Sequence, residues 1–239
     1  TTGSDNTFVG DNAGGATTTA DSNTAVGADA LLVNSTGASN TAVGALALDA
    51  NTTASYITAI GEKALSANTT GAKNTAIGRA TLQATTTQDN NTAVGYNSLS
   101  GGSNAAAGNT AVGAETLEAN TTGANNVAVG KSALTANTTG HSNVAVGKDA
   151  LIANTTANYN TAVGTDALTA NTTGSENTAI GIQAMLANTT GATNVGIGTS
   201  VLDANTTGNT NTAVGGSALG VNTTGASNTA VGAYALDAN

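Results

Sequence analysis

The chain has no cysteine, no proline and no tryptophan, and its 239 residues include only one phenylalanine and four tyrosines. Without cysteine there is no disulfide framework and no thiolate metal site. Zero cysteine suits an extracellular structural protein without excluding the cytoplasm. An ordinary globular core leans on Leu, Ile, Phe and Met, whereas the apolar 39% here is mostly Ala and Val. Charge is also scarce: 8% of residues, against about a quarter in a typical domain. Five basic residues within a net charge of −9 exclude a nucleic-acid partner and an anionic membrane surface. No apolar run approaches the roughly 18 residues of a spanning helix, and no secretory signal precedes Thr1.

What the chain has in abundance is Thr, Asn, Gly and Ala, a composition that raises disorder as an alternative. Disordered chains avoid β-branched residues and carry more charge. Here Val or Ile returns at regular intervals, so the bias is repetition. Units that open at the Asn of Asn-Thr-Ala-Val-Gly run from Asn6 to Asn228, fourteen in all. Every step is 17 residues except Asn91 to Asn109, which is 18. The consensus is N-T-A-V-G-x-x-A-L-x-A-N-T-T-G-x-x, and its positions are numbered one to seventeen below.

Position five is Gly in all fourteen units, which requires a positive-φ turn or a close backbone approach. Positions two and four (Thr/Val, then Val/Ile) share one strand face, and position three, almost always Ala, points the other way. Both faces carry small unhydrated side chains, so the strand is expected to be covered on both sides. Leu at position nine, with Ala at eight and eleven, supplies a second wall. Asn-Thr-Thr-Gly forms a turn, because Asn and Gly tolerate left-handed geometry. Gly, Asn and Thr recur too often for any helix.

All nineteen charged residues fall at positions six, seven, ten, sixteen or seventeen. Burying an unpaired charge is prohibitive, so the charge-free positions are assigned to the interior and the stacked turns. The reading is an all-β, parallel β-solenoid of fourteen 17-residue coils spanning 1–239 as a single repeat domain. Equivalent residues stack about 4.8 Å apart. Asn at positions one and twelve should form amide ladders, and Thr at thirteen and fourteen hydroxyl ladders. The 18-residue coil, at 91–108, should bulge at a turn without losing register. The apolar interior of one chain is thin, and neighbours covering the Ala face would complete it, so a side-by-side homotrimer is expected.

Ser142-Asn143-Val144-Ala145-Val146-Gly147 and Asn194-Val195-Gly196-Ile197-Gly198 resemble the N-S-V-A-I-G motif of trimeric autotransporter adhesin heads. The Asn-Thr-Ala-Val-Gly…Ala-Leu…Asn-Thr-Thr-Gly units are similar to repeats of phage tail fibres and related surface proteins. The resemblance covers the whole chain and implies a left-handed β-roll, three chains side by side, and a role in making contact at a distance. Two departures are the 17-residue period, where the adhesin repeat is nearer fourteen, and the frequent Thr in place of the first Val. No receptor specificity transfers residue by residue.

No catalytic, cofactor-binding or metal-ligating residue is assigned. His141 is the single histidine and stands at variable position sixteen, where a solvent-facing role fits. Asp149 and Asp166 should stack at position seven, but Lys131 and Lys148 run beside them, as on a solvated stripe. No acidic position recurs as calcium-binding nonapeptide solenoids require. Gly196-Ile197-Gly198 precedes no helical pattern, so it is no dinucleotide loop. Tyr56, Tyr96, Tyr159 and Tyr234 take outward positions and could touch a partner.

The expected function is a structural or adhesive segment of an extracellular fibre, at a cell or virion surface. It would space or present a binding tip, without catalysis or cofactor. Its partners would be further copies of itself, as a homotrimer or end-to-end filament, and a host or surface receptor. No membrane insertion is expected in this segment. The alternative is an ice-binding solenoid that uses Thr ladders, although the Thr-Thr pair lies in a turn. The first unit departs most from consensus, as a cap does. The pattern is cut at both ends, so the natural protein is expected to continue past Asn239 or to stack end to end.

Overall fold

A computed structural model describes residues 2–101 and 106–237. The chain divides into two compact units, Thr1–Thr122 and Gly123–Asn239. Within the first, the seven strands are β1 (Thr7–Val9), β2 (Thr24–Val26), β3 (Thr41–Val43), β4 (Thr58–Ile60), β5 (Thr75–Ile77), β6 (Thr92–Val94) and β7 (Thr110–Val112). The second holds β8 (Val127–Val129), β9 (Val144–Val146), β10 (Thr161–Val163), β11 (Thr178–Ile180), β12 (Val195–Ile197), β13 (Thr212–Val214) and β14 (Thr229–Val231). Each unit is a parallel β-solenoid in which every strand pairs with the next in chain order. Equivalent repeat positions lie side by side, as in Thr24↔Thr41 and Thr161↔Thr178. No helix occurs among the described residues.

The strands occupy positions two to four, and the backbone bonds between coils run both ways. Position two donates forward, Thr24 N–H to Asn40 O at 2.8 Å, and position five donates backward, Gly44 N–H to Val26 O at 2.8 Å. Positions nine and thirteen donate forward again (Leu48 to Ala64 O, 2.9 Å; Thr52 to Thr69 O, 3.0 Å), so the bonding continues far outside the strands. This rung-to-rung bonding satisfies turn backbone that would otherwise be buried without partners.

Four positions per coil lie at positive φ. Position five needs glycine: Gly27 sits at φ 133°, and a Cβ there would stand 2.7 Å from the carbonyl of Gly44. Positions seven, nine and seventeen take the left-handed conformation with ordinary residues, for example Lys63 (φ 59°), Leu65 (φ 52°) and Tyr56 (φ 63°). Each costs roughly 1–2 kcal/mol in an L-residue. At position nine the cost is offset by packing, because Leu31, Leu48, Leu134, Leu151 and their equivalents are the largest fully buried side chains.

The core of each coil is Ala at positions three and eight with Leu at nine, all fully buried in coils such as Ala42, Ala47 and Leu48. Ala at position three therefore lies inside its own coil and needs no neighbouring chain to cover it, contrary to the sequence expectation. The outward strand face is positions two and four. The 18-residue coil keeps its register, Thr92↔Thr110. Its extra residue falls between Asn91 and Ala106, because Asn91 Nδ2 donates to Ala106 O fifteen residues on, where other coils span fourteen. The expected bulge itself falls partly on residues 102–105, outside the described residues.

Candidate functional site

Two internal rows of asparagine hold the coils together. At position twelve the amides form a ladder: Asn154 Nδ2 donates to Asn137 Oδ1 (2.8 Å) and Asn188 Nδ2 to Asn171 Oδ1 (2.9 Å). At position one the side-chain oxygen accepts the next backbone N–H, as Asn160 N to Asn143 Oδ1 at 3.0 Å, and in several coils the next amide as well, as Asn143 Nδ2 to Asn126 Oδ1 at 3.1 Å. Its Nδ2 reaches across the coil to the position-fifteen carbonyl, which also accepts from position twelve. Gly174 O thus receives Asn160 Nδ2 (2.9 Å) and Asn171 Nδ2 (3.0 Å). The position-twelve row is interrupted after Asn68, whose Oδ1 is buried without a partner because the next coil offers Thr85 there.

The two threonines of the turn behave differently from each other. Thr52 Oγ1 donates to Thr69 O at 3.0 Å, and Thr172 Oγ1 to Thr189 O at 3.1 Å, so position-thirteen hydroxyls bond to backbone and not to one another. Position-fourteen residues such as Thr53 and Thr70 are exposed.

The most distinctive surface is the outward strand face. Ile60, Ile77, Ile180 and Ile197 are each 38% exposed, an unusual state for β-branched aliphatics repeated in a column. Position two beside them is half-exposed, as in Thr41, Thr58, Val127 and Val144. Neither position carries a charge in any coil. Charge-free positions were expected to be interior or in the stacked turns; positions two and four are charge-free yet face outward. In the first unit position two is always Thr, whereas the second unit places Val127, Val144 and Val195 there.

The charged residues lie on the rim as expected. Arg79 Nε pairs with Glu62 Oε2 at 3.1 Å and its guanidinium lies 5.8 Å from the Tyr96 ring centre. Lys148 pairs with Asp149, which holds the ammonium above its ordinary range, with Asp166 adding a smaller attraction. Asp149 is thus engaged by Lys148, while Asp166 contributes to that site only through its more distant charge. His141 packs edge-on against Tyr159, ring centres 5.0 Å apart. Tyr56, Tyr96, Tyr159 and Tyr234 are all exposed. Gly196-Ile197-Gly198 runs through β12 and out of it, and opens no helix.

Position ten holds the two perturbed carboxyls. Burial raises Asp49 above its ordinary range, opposed by its own and Ala50's backbone N–H and assisted by the Asp29 charge. Burial likewise raises Asp203, with the Asp237 charge a lesser cause. A cavity of about 330 Å³ beside the first coil is lined by Gly3, Asn6, Phe8, Gly14, Gly15, Thr17 and Thr18, with no titratable side chain among them. Among the described residues no three His, Cys, Asp or Glu side chains gather into a group able to hold a metal, and no helix is long and apolar enough to cross a membrane.

Sequence reasoning missed the outward strand face because it assigned cover to both sides. A signal was present in the exceptions. Phe8 replaces the position-three Ala where Gly14 replaces the position-nine Leu, and a Cβ on Gly14 would stand 2.6 Å from the Phe8 ring. Gly196 accompanies Met185 and Val201, whose atoms lie 3.1 Å from where its Cβ would be. Positions three, eight and nine exchange volume, so they share one interior, and two and four must face away. In comparisons with known proteins, no family model, curated protein or solved structure matches the chain.

Proposed function

We propose that this chain is a structural segment of an extracellular fibre, one that spaces or presents a binding tip and carries no catalytic step. The observation that supports this reading best is the uniform coil. Amide and backbone bonds repeat rung after rung, while titratable side chains stand on the rim singly or in pairs such as Arg79 with Glu62 and Lys148 with Asp149. Rigid repetition suits a spacer. The motif resemblance to adhesin heads and tail fibres supports the same reading. Immunogold labelling of the source cell or virion is the test. Label on surface fibres is the expected result; label confined to the cell interior overturns it.

The assembly proposed is a side-by-side homotrimer. The second unit supplies a surface for it, because Val127, Val129, Val144 and Val146 form a half-exposed apolar patch across two adjacent strands. Such a patch favours association by removing apolar area from water. Sedimentation equilibrium should give three times the 22.6 kDa chain mass. Val129→Lys with Val146→Lys should give a folded monomer. A wild-type chain that stays folded and monomeric at high concentration defeats the trimer without touching the fibre reading.

A further inference from the structure

The outward strand face of the first unit differs from that of the second in one respect. Its position-two row is threonine without exception, Thr24, Thr41, Thr58, Thr75 and Thr92 running along β2 to β6. None of these five hydroxyls bonds to another group of the protein. The contrast with the turn is direct, since Thr52 and Thr69 at position thirteen spend their hydroxyls on the carbonyls of the next coil, 3.0 Å away. Beside the free hydroxyl row runs the methyl row of Val26, Val43, Ile60, Ile77 and Val94, partly exposed along its whole length. Neither row carries a charge, and on the rim Glu62 and Arg79 pair with each other.

Register makes the two rows a lattice. Strand partners match residue for residue, Thr41↔Thr58 and Val43↔Ile60 among them. Hydroxyls therefore repeat about every 4.8 Å along the unit, with the methyl row about 6.6 Å to one side. Backbone pairing in register fixes that spacing, and in the coils of Thr24, Thr41 and Thr58 buried amides add to it: Asn51 Nδ2 donates to Asn34 Oδ1 at 2.9 Å and Asn68 Nδ2 to Asn51 Oδ1 at 3.2 Å. Such a face is preorganised, so ordering a ligand on it costs the protein little entropy.

The ligand that fits must be uncharged, extended and itself periodic. It must offer both donors and acceptors, because each hydroxyl can do either. A small molecule would engage one or two rungs and leave the repetition unused. Ice is an uncharged lattice of water with donors and acceptors at fixed intervals, and branched methyls beside a hydroxyl row suit ordered water held against an apolar surface. We propose that the Thr24–Thr92 row, with the adjoining Val/Ile row, binds the surface of ice. This goes beyond the fibre reading and does not depend on it. It also moves the site from the Asn-Thr-Thr-Gly turn, where the sequence pointed, to the strands.

The test uses the full chain and two double variants. Thr41→Tyr with Thr58→Tyr places bulk on the strand row. Thr53→Tyr with Thr70→Tyr places the same bulk on exposed turn positions of neighbouring coils. Thermal hysteresis and partition of the protein into a growing ice sample are measured, with circular dichroism to establish that all three fold alike and sedimentation to record association. Wild type and the turn variant should enter ice and depress freezing, and the strand variant should lose most of both. Absence of activity in the wild type, or loss in the turn variant only, overturns the proposal. A folded strand variant with altered sedimentation and unchanged ice activity overturns it too, and makes the face a contact between copies. Should the strand variant fail to fold, Thr41→Val with Thr58→Val removes the hydroxyls without adding bulk. Retention of full activity in that variant overturns the role of the hydroxyl row.

Discussion

Leucine avoids the left-handed conformation, yet the position-nine leucines adopt it in coil after coil, with φ between 50° and 55°. Nothing in the repeat marks that position as a turn, since its residue is the one chosen for bulk; packing in the interior decides it. Volume is shared tightly there. Gly196→Ala should overpack Met185 and Val201, costing about 1–3 kcal/mol. Adding Val201→Ala should recover much of the loss, a coupling that a double-mutant cycle in urea reads directly. Asp49 is the opposite case, a carboxylate with one buried oxygen that has no partner. Its folded-state affinity for a proton is raised by burial, so its contribution favours folding at low pH and is lost as pH rises through the folded value. Asp49→Asn should therefore raise the melting temperature at pH 7. The gain should stay below about 1 kcal/mol, because solvent screens the half-exposed group. At pH values below the ordinary carboxylate range the gain should vanish.

At the scale of the coil, the sequence was most legible where geometry admits one residue type. Gly at position five announced its positive φ, and the periodic Asn-Thr-Thr-Gly announced a turn. The charge pattern located the rim, because no compensating partner exists inside so narrow a coil. Less legible was the direction of the strand, since Ala and Val are both small enough to be buried and the periodicity alone does not say which is. The asparagine rows were foreseen as amide ladders, and position twelve follows that form. Position one follows it in several coils, as Asn211 Nδ2 to Asn194 Oδ1 at 3.2 Å, while the same oxygen also accepts the next backbone N–H. Asn160 carries three bonds at once: its N–H to Asn143, its Nδ2 to Gly174 O, and its Oδ1 from Asn177 N–H. Asn160→Ala should orphan the buried Asn177 N–H and cost about 1–3 kcal/mol in chemical denaturation. Thr173→Ala, at an exposed turn position of the same coil, should cost little by the same measure.

Across each unit, strand contacts join only consecutive coils, so stability accumulates from neighbour to neighbour. Deleting residues 143–159, one whole coil, joins Ser142 to Asn160 and leaves every remaining position in phase. The shortened chain should keep its β-type circular dichroism with a modestly lower denaturation midpoint. Deleting residues 143–158 instead leaves one 18-residue coil, the length that residues 91–108 accommodate with Thr92 still paired to Thr110, so that chain should fold as well, with a further drop in midpoint. The same burial of asparagine has a practical consequence for making the protein. Every Asn-Thr-Thr triplet is a glycosylation acceptor sequence, and its amide nitrogen lies inside the coil, as at Asn154, Asn171 and Asn188. A sugar attached there during synthesis could not be accommodated once coils stack. Secretion from a eukaryotic host should therefore yield misfolded glycoprotein, while a bacterial host, or one given a glycosylation inhibitor, should yield the native rungs.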